Sequence, residues 1–261
     1  MITPLDQAHA AMTAAPDDDA ARLAWYGRLA DCELFVLLEH EAQGDDIAPA
    51  LFAVEEGQFA AVFDLPERLV DFADSAVPYA ALPGRMLVAM LAGHDIGLAV
   101  NPGVTAAEML IPAVAVEWLA ATLAHAPQAR AGRPVSFGPP DGMPDGLFAA
   151  LDGRLSAAGG LAGSAWLVAA DWDDGGRGLA LAFVGAATDA EAALARTVAE
   201  ALAFSGLGQG WLDVVFLPQA SATAQAAARV GLGFVLPVAA EPADRPSAPG
   251  MDPGRPPRLR F

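Results

Sequence analysis

Apolar positions along the chain alternate between two spacings, and the changes of spacing mark out the elements. Leu5, Ala8, His9 and Met12 share one helical face behind Thr3, a capping residue, and Pro4, which suits a first helical position. Pro16 ends that helix, and Asp17, Asp18 and Asp19 place carboxylates at the positive end of a second, lined by Leu23, Tyr26 and Ala30. Glu33 to Leu38 reads as a buried strand. The runs Ala50 to Val54 and Phe59 to Phe63 flank Glu55-Glu56-Gly57-Gln58 as a β-hairpin. Asp64-Leu65-Pro66 opens a helix through Phe72, Pro83-Gly84 precedes another through Leu91, and Gly97 to Val100 is a short strand stopped by Asn101-Pro102-Gly103. The densest apolar stretch, Met109 to Ala124, reads as a buried helix, and Pro112 to Ala124 closes the unit as that helix. Pro112 and Glu117 interrupt the stretch, and it falls short of the roughly 20 apolar residues that span a bilayer.

From Ala126 to Pro144 several Pro and Gly residues surround one β-capable run, Pro134 to Phe137. The pattern beyond reads helix (Asp145 to Ala157), strand (Ala165 to Trp172), Gly-rich turn, strand (Leu179 to Val184), helix (Asp189 to Phe204), strand (Trp211 to Leu217), helix (Ser221 to Val230) and strand (Gly233 to Leu236). Asp173-Asp174-Gly175-Gly176 suits a hairpin turn, because glycine reaches positive φ without penalty. The expectation is an α/β fold of the α+β type: two small domains of mixed sheets flanked by helices, residues 1–125 and 144–240, joined by a linker at 126–143. The tail 241–261, rich in Pro and Arg and poor in apolar residues, is expected to be disordered.

Composition narrows the functional classes. The chain has 261 residues, 54% of them apolar, which is enough to bury a core in each of two domains. All 14 basic residues are arginines against 32 acids, and residues 1–125 alone hold 19 acids and 4 arginines. A net charge of −18 repels a phosphate backbone or an anionic membrane, so neither is an expected partner. Cys32 is the only cysteine, which excludes an internal disulfide and cysteine-rich zinc sites. Together with a start that lacks a basic, then apolar, leader, this points to the cytoplasm.

No spacing of residues announces a reaction. His9, His40, His94 and His125 lie far apart, without the helical i, i+4 spacing of a zinc enzyme, so no metal is expected. Asp171, Asp173 and Asp174 beside Gly175 crowd oxygens at one turn, but they miss the alternate spacing and distant Glu of a calcium loop. Gly206, Gly208 and Gly210 follow a helix and precede a strand, the reverse of the order that points a helix N-terminus at phosphates. Gly163-Ser164-Ala165 lacks the glycine pattern of a nucleophile elbow, and Cys32 has no histidine near it in sequence. No cofactor is expected. Trp25 and Tyr26 are adjacent on a helix and point different ways, so one ring should be less buried and could mark a partner surface. Asn101 and Gly103, with Tyr79 and Arg85, are the other candidate contact residues, around a cleft beside the Asn-Pro-Gly turn.

Three segments, in order and spacing, resemble the bacterial SseB family: Arg22-Leu-Ala-Trp-Tyr-Gly-Arg-Leu29 leading into Leu34-Phe-Val36, then Val62-Phe-Asp-Leu-Pro-Glu-Arg-Leu69, then Gly97-Leu-Ala-Val-Asn-Pro-Gly103. The resemblance covers residues 5 to 125 and implies an SseB N-terminal domain followed by a C-terminal domain of similar size and element order. It implies no particular reaction, since the family's name reports a phenotype, enhanced serine sensitivity. The expected function is therefore a non-enzymatic adaptor or regulatory protein acting through a protein partner. The alternative is a regulatory module that binds a small, amino-acid-like ligand.

Overall fold

The computed structural model describes residues 1–42, 46–55, 57–124, 132–143, 145–156, 158–206, 212–237 and 258–259. The chain has an α/β fold and divides into two compact units, one within Met1–Ala124 and one within His125–Ala243.

The first unit runs α1 (Pro4–Ala14), α2 (Asp19–Asp31), β1 (Glu33–Leu37), β2 (Asp46–Ile47), β3 (Leu51–Val54), β4 (Gly57–Phe63), α3 (Pro66–Ala73), β5 (Tyr79–Pro83), α4 (Gly84–Leu91), β6 (Ile96–Val100), β7 (Met109–Ile111) and α5 (Ala113–Ala124). Thr3 closes a capping box on α1: its hydroxyl accepts the Asp6 N–H at 3.1 Å while the Asp6 carboxylate accepts the Thr3 N–H at 2.9 Å. Asp18 caps α2 by accepting the Ala20 N–H. The sheet has the order β5-β1-β4-β6-β7, with β3 paired to the first half of β4. Only β4 and β6 run parallel; the other neighbours are antiparallel.

Alternation along the strands divides the sheet's two faces. Leu37, Ala61 and Phe63 meet Leu69 of α3, with Phe35 and Phe72 alongside. The intervening positions Leu34, Val36, Val62, Leu98 and Val100 are fully buried on the other face, which Trp25 and Leu29 of α2, Leu87 and Val88 of α4, and Val116 and Leu119 of α5 cover. Gly84 allows this layer to close. A Cβ there would lie 1.9 Å from the Leu29 carbonyl oxygen, and its N–H donates to the Cys32 carbonyl at 2.8 Å.

Two strands depart from the pattern expected of the sequence. Met109–Ile111, within the apolar stretch but ahead of the helix read from Pro112, is β7, an edge strand that Pro112 separates from α5; three residues are too few to display an alternation. Tyr79–Pro83 is β5, whose Ala-Ala-Leu core carries no β-branched residue to advertise it.

The second unit runs β8 (Pro134–Gly138), α6 (Leu147–Leu155), β9 (Ser164–Trp172), β10 (Arg177–Val184), α7 (Glu191–Ala203), β11 (Leu212–Leu217), α8 (Ala222–Val230) and β12 (Leu232–Phe234). Its sheet has the order β11-β10-β9-β12, and β8 also pairs with β9. Leu167, Leu179, Leu181 and Phe183 pack with Leu147, Leu151, Leu194 and Val198 of α6 and α7. Val168, Ala170, Ala180 and Ala182 point the other way, toward Ala227 of α8. The result is three layers, helices on either side of a sheet.

The β-capable run of the Pro/Gly-rich segment is thus a strand of the second sheet, with Pro134 at its first position, where a missing donor costs least. The turn acids are tied locally. Asp171 accepts from Ser136 Oγ at 2.6 Å, Asp173 from the Arg133 N–H at 2.9 Å, and Asp174 from the Gly176 N–H at 2.8 Å. The tail lies outside the described residues except Arg258–Leu259, here β13, which pairs parallel to Asp46–Ile47. Among the described residues no helix is long and apolar enough to cross a membrane.

Candidate functional site

The chain leaves the parallel strands β4 and β6 through Asp64 and Asn101, side by side. Carboxyl ends of neighbouring parallel strands are where loops diverge and where α/β proteins place ligands. The Val62 carbonyl, next to the end of β4, accepts the Asn101 N–H at 2.8 Å, and the Asn101 Oδ1 accepts the Asp64 N–H at 3.2 Å. Asn101 holds a left-handed φ of 50°, a conformation asparagine tolerates better than most residues, and is only 1% exposed. Its Nδ2 is buried without a hydrogen-bond partner.

From this corner a charged network spreads. Arg68, one turn into α3, donates from Nη1 to Asp64 at 2.6 Å and to Asp6 at 3.0 Å, and from Nη2 to the other Asp6 oxygen. The second Asp64 oxygen accepts the Thr3 hydroxyl at 2.6 Å. One guanidinium therefore clamps α1 to the β4–α3 corner, using the fork geometry that lysine lacks. Burial alone would raise the Asp6 pKa. Hydrogen bonds from Arg68 and the Thr3 N–H, with the charge of Arg68, outweigh it and hold the carboxyl below its ordinary value. Arg68 is raised above its usual value by its hydrogen bond to Asp6, against the opposing effect of burial.

Beside the network lies a cleft of about 440 Å³, walled by Leu5, Phe35, Leu65 and Pro66 and edged by Arg28, Asp31 and Glu33. Asp31 is held by Arg85 at 2.7 Å. Cys32 opens onto this cleft, and burial first, then the negative charge of Asp64, push its thiol up to about 12.

The residues singled out in the sequence occupy separate places. Asn101 and Gly103 share one loop, where Gly103 (φ 67°) donates its N–H to Glu108 at 2.7 Å. Tyr79 sits on edge strand β5, its ring 5.8 Å from Phe35. Strands β1 and β4 separate β5 from β6, about 14 Å at ordinary strand spacing, so Tyr79 and Asn101 do not share a cleft. Arg85 donates to Asp31 at the cleft's rim.

Trp25 is core, fully buried, while Tyr26 is half-buried and sets its ring edge-on to both Trp25 and Trp118 of α5, 5.3 Å from each. Burial raises the Tyr26 phenol, with Arg22 opposing. On α5, Val116 and Leu119 face the core, yet Val114 is 71% and Trp118 41% exposed. Thr3, Asp6, Asp64 and Arg68 were not anticipated as a group. The signals for it were the capping box and the i, i+4 spacing of Asp64 and Arg68. Among the described residues no group of His, Cys, Asp and Glu could hold a metal ion; His125, Trp211, Gly208 and Gly210 lie outside them.

The family model of the SseB protein N-terminal domain matches residues 5–118, nearly the whole first unit. Over these residues, somewhat under half of the chain, it is similar to the SseB N-terminal domain. The match takes in α2 with Trp25 and Tyr26, the Asp64–Arg68 corner, the Asn101 loop and α5 as far as Trp118, while Thr3 lies just before it. No curated protein and no solved structure matches the chain.

Proposed function

We propose that this protein is a non-enzymatic adaptor or regulatory protein that works through protein–protein contacts made by its N-terminal domain. One observation carries the proposal: α5 is apolar on both sides, and its outward side leaves Val114 and Trp118 in solvent. Trp118 touches Tyr26, which extends the apolar surface onto α2. Aromatic side chains on such a surface are the usual anchors of a protein interface. The same reading takes the second unit as an SseB-like C-terminal domain and places the protein in the cytoplasm. Affinity capture from cell lysate at low and moderate salt should return a stoichiometric protein that the Val114→Asp variant fails to retain. Capture of none at either salt removes the proposal.

A second reading, binding of a small amino-acid-like ligand, is favoured by the cleft. There the guanidinium of Arg28 and the carboxylate of Glu33 edge apolar walls, a pairing of charges that suits a zwitterion. A thermal-shift panel across the amino acids tests it: a saturable rise in melting temperature supports the reading, and a flat panel removes it.

A further inference from the structure

We infer that the partner received by α5 is a basic amphipathic helix; this rests on the docking reading above and adds the chemistry of the occupant. Val114 and Trp118 are one helical turn apart and so lie on one stripe, which the ring contact of Trp118 with Tyr26 widens toward α2. An amphipathic helix repeats its own apolar positions at i, i+3, i+4 and i+7, the pitch of this stripe. Glu117 is the only charged residue of α5 and is exposed beside Trp118.

Charge decides among the possible occupants. Residues 1–125 carry 19 acids and 4 arginines, so the stripe lies in a strongly negative field. A second copy of the chain would bring another −18 to the contact. An anionic lipid surface is repelled for the same reason. A helix with arginine or lysine flanking its apolar stripe gains from burial and from the field together.

The test uses the full chain and a labelled peptide of about 18 residues, five turns of helix, built from Leu, Ala and Arg with the leucines on one face. Two controls accompany it, a scrambled peptide of the same composition and an amphipathic peptide with Glu in place of Arg. Fluorescence anisotropy should show saturable binding of the basic amphipathic peptide and at least about tenfold weaker binding of both controls. Val114→Asp should weaken that binding about tenfold with the melting temperature unchanged, because the residue is exposed and nothing in the core is lost. This variant adds an acid, so attraction by charge alone would strengthen the binding instead. Equal binding of the scrambled peptide, preference for the Glu peptide, or unchanged or tighter binding to Val114→Asp overturns the inference. So does a concentration-dependent dimer that Val114→Asp abolishes.

A photo-crosslinking residue in place of Val114 separates the two levels of the argument. An adduct with a lysate protein, together with failure of the basic peptide, removes the basic helix and leaves docking in place. No adduct and no peptide binding removes both.

Discussion

Asn101 and Asp64 directly follow neighbouring parallel strands, and the side chain of one accepts the backbone N–H of the other at 3.2 Å. The Asn-Pro-Gly turn is thus fastened to the corner that starts α3, and the fastening consists of one buried amide held at positive φ. Everything on the Asp64 side, the arginine clamp and the seat of α1 included, is positioned by that corner.

Replacing Asn101 by Ala removes the acceptor for a part-buried N–H and forces a Cβ-bearing residue into left-handed backbone. The expected loss is about 2–4 kcal/mol, from an unsatisfied donor and a strained dihedral. Asn101→Gly recovers the dihedral share only, so urea denaturation should rank wild type above Gly and Gly above Ala. Equal stability of all three variants would show that the Asp64 N–H is served by solvent.

Among the described residues, Arg68 is the cation that joins Asp6 and Asp64. Arg68→Ala leaves two carboxylates facing each other with little solvent and should destabilise the first unit by about 3–5 kcal/mol, the usual cost of breaking a buried pair. Arg68→Lys keeps the charge but loses the two-pronged contact with Asp6, and its loss should be smaller. A melting curve for the lysine variant that coincides with that of the alanine variant would contradict the clamp.

The Asp6 carboxyl, held below its ordinary pKa, also sets a pH dependence. The unfolded chain takes up the proton first, near the ordinary Asp value of about 3.9. The stability the carboxylate contributes is therefore complete above that value and is lost as pH falls through the lower folded pKa. Asp6→Asn should be less stable near neutrality and show a shallower loss between about pH 4 and 2, measured by denaturation at stepped pH. An unchanged acid slope would mean that Asp6 is not coupled to Arg68 in solution.

Much of the fold was readable because particular residues obey one local rule each. Thr3 and Pro4 marked α1, Pro66 marked α3, and the Asp173-Asp174-Gly175-Gly176 turn between two apolar runs marked the β9–β10 hairpin. The strands that escaped notice are short or carry no β-branched core, such as Met109–Ile111 and Tyr79–Pro83. The clamp escaped for a different reason. Asp6 and Arg68 are 62 positions apart, and only packing brings them together. Of the candidate contact residues, Trp25 is fully buried and Tyr26 half-buried, the difference that adjacency on a helix implies. Adjacency gave no hint that the more exposed aromatic neighbour would be Trp118, 92 positions from Tyr26.

Gly84 tests the packing of the helical layer. Its missing side chain lets the start of α4 touch the end of α2, where a Cβ would stand 1.9 Å from the Leu29 carbonyl oxygen. Since that obstacle is backbone, no rotamer relieves it. Gly84→Ala should lower stability by more than the roughly 1–3 kcal/mol of ordinary overpacking, and circular dichroism melts would report it. A melting temperature equal to wild type would show that α2 and α4 can separate freely.

Cys32 provides the alkaline counterpart of Asp6. Its thiol is raised to about 12 in the folded protein, by burial and then by Asp64, against about 8.5 for a free cysteine in the unfolded chain. The stability linked to the neutral thiol is complete below the lower value and drains away as pH rises toward the higher one, because the unfolded chain ionises first. Cys32→Ser should remove this slope, so its stability relative to wild type should improve between about pH 8.5 and 12. The same protonated thiol should resist iodoacetamide at pH 8 in buffer and react promptly in denaturant. Rapid alkylation of the folded protein at that pH would show a thiolate at the cleft and would restore Cys32 as a candidate nucleophile.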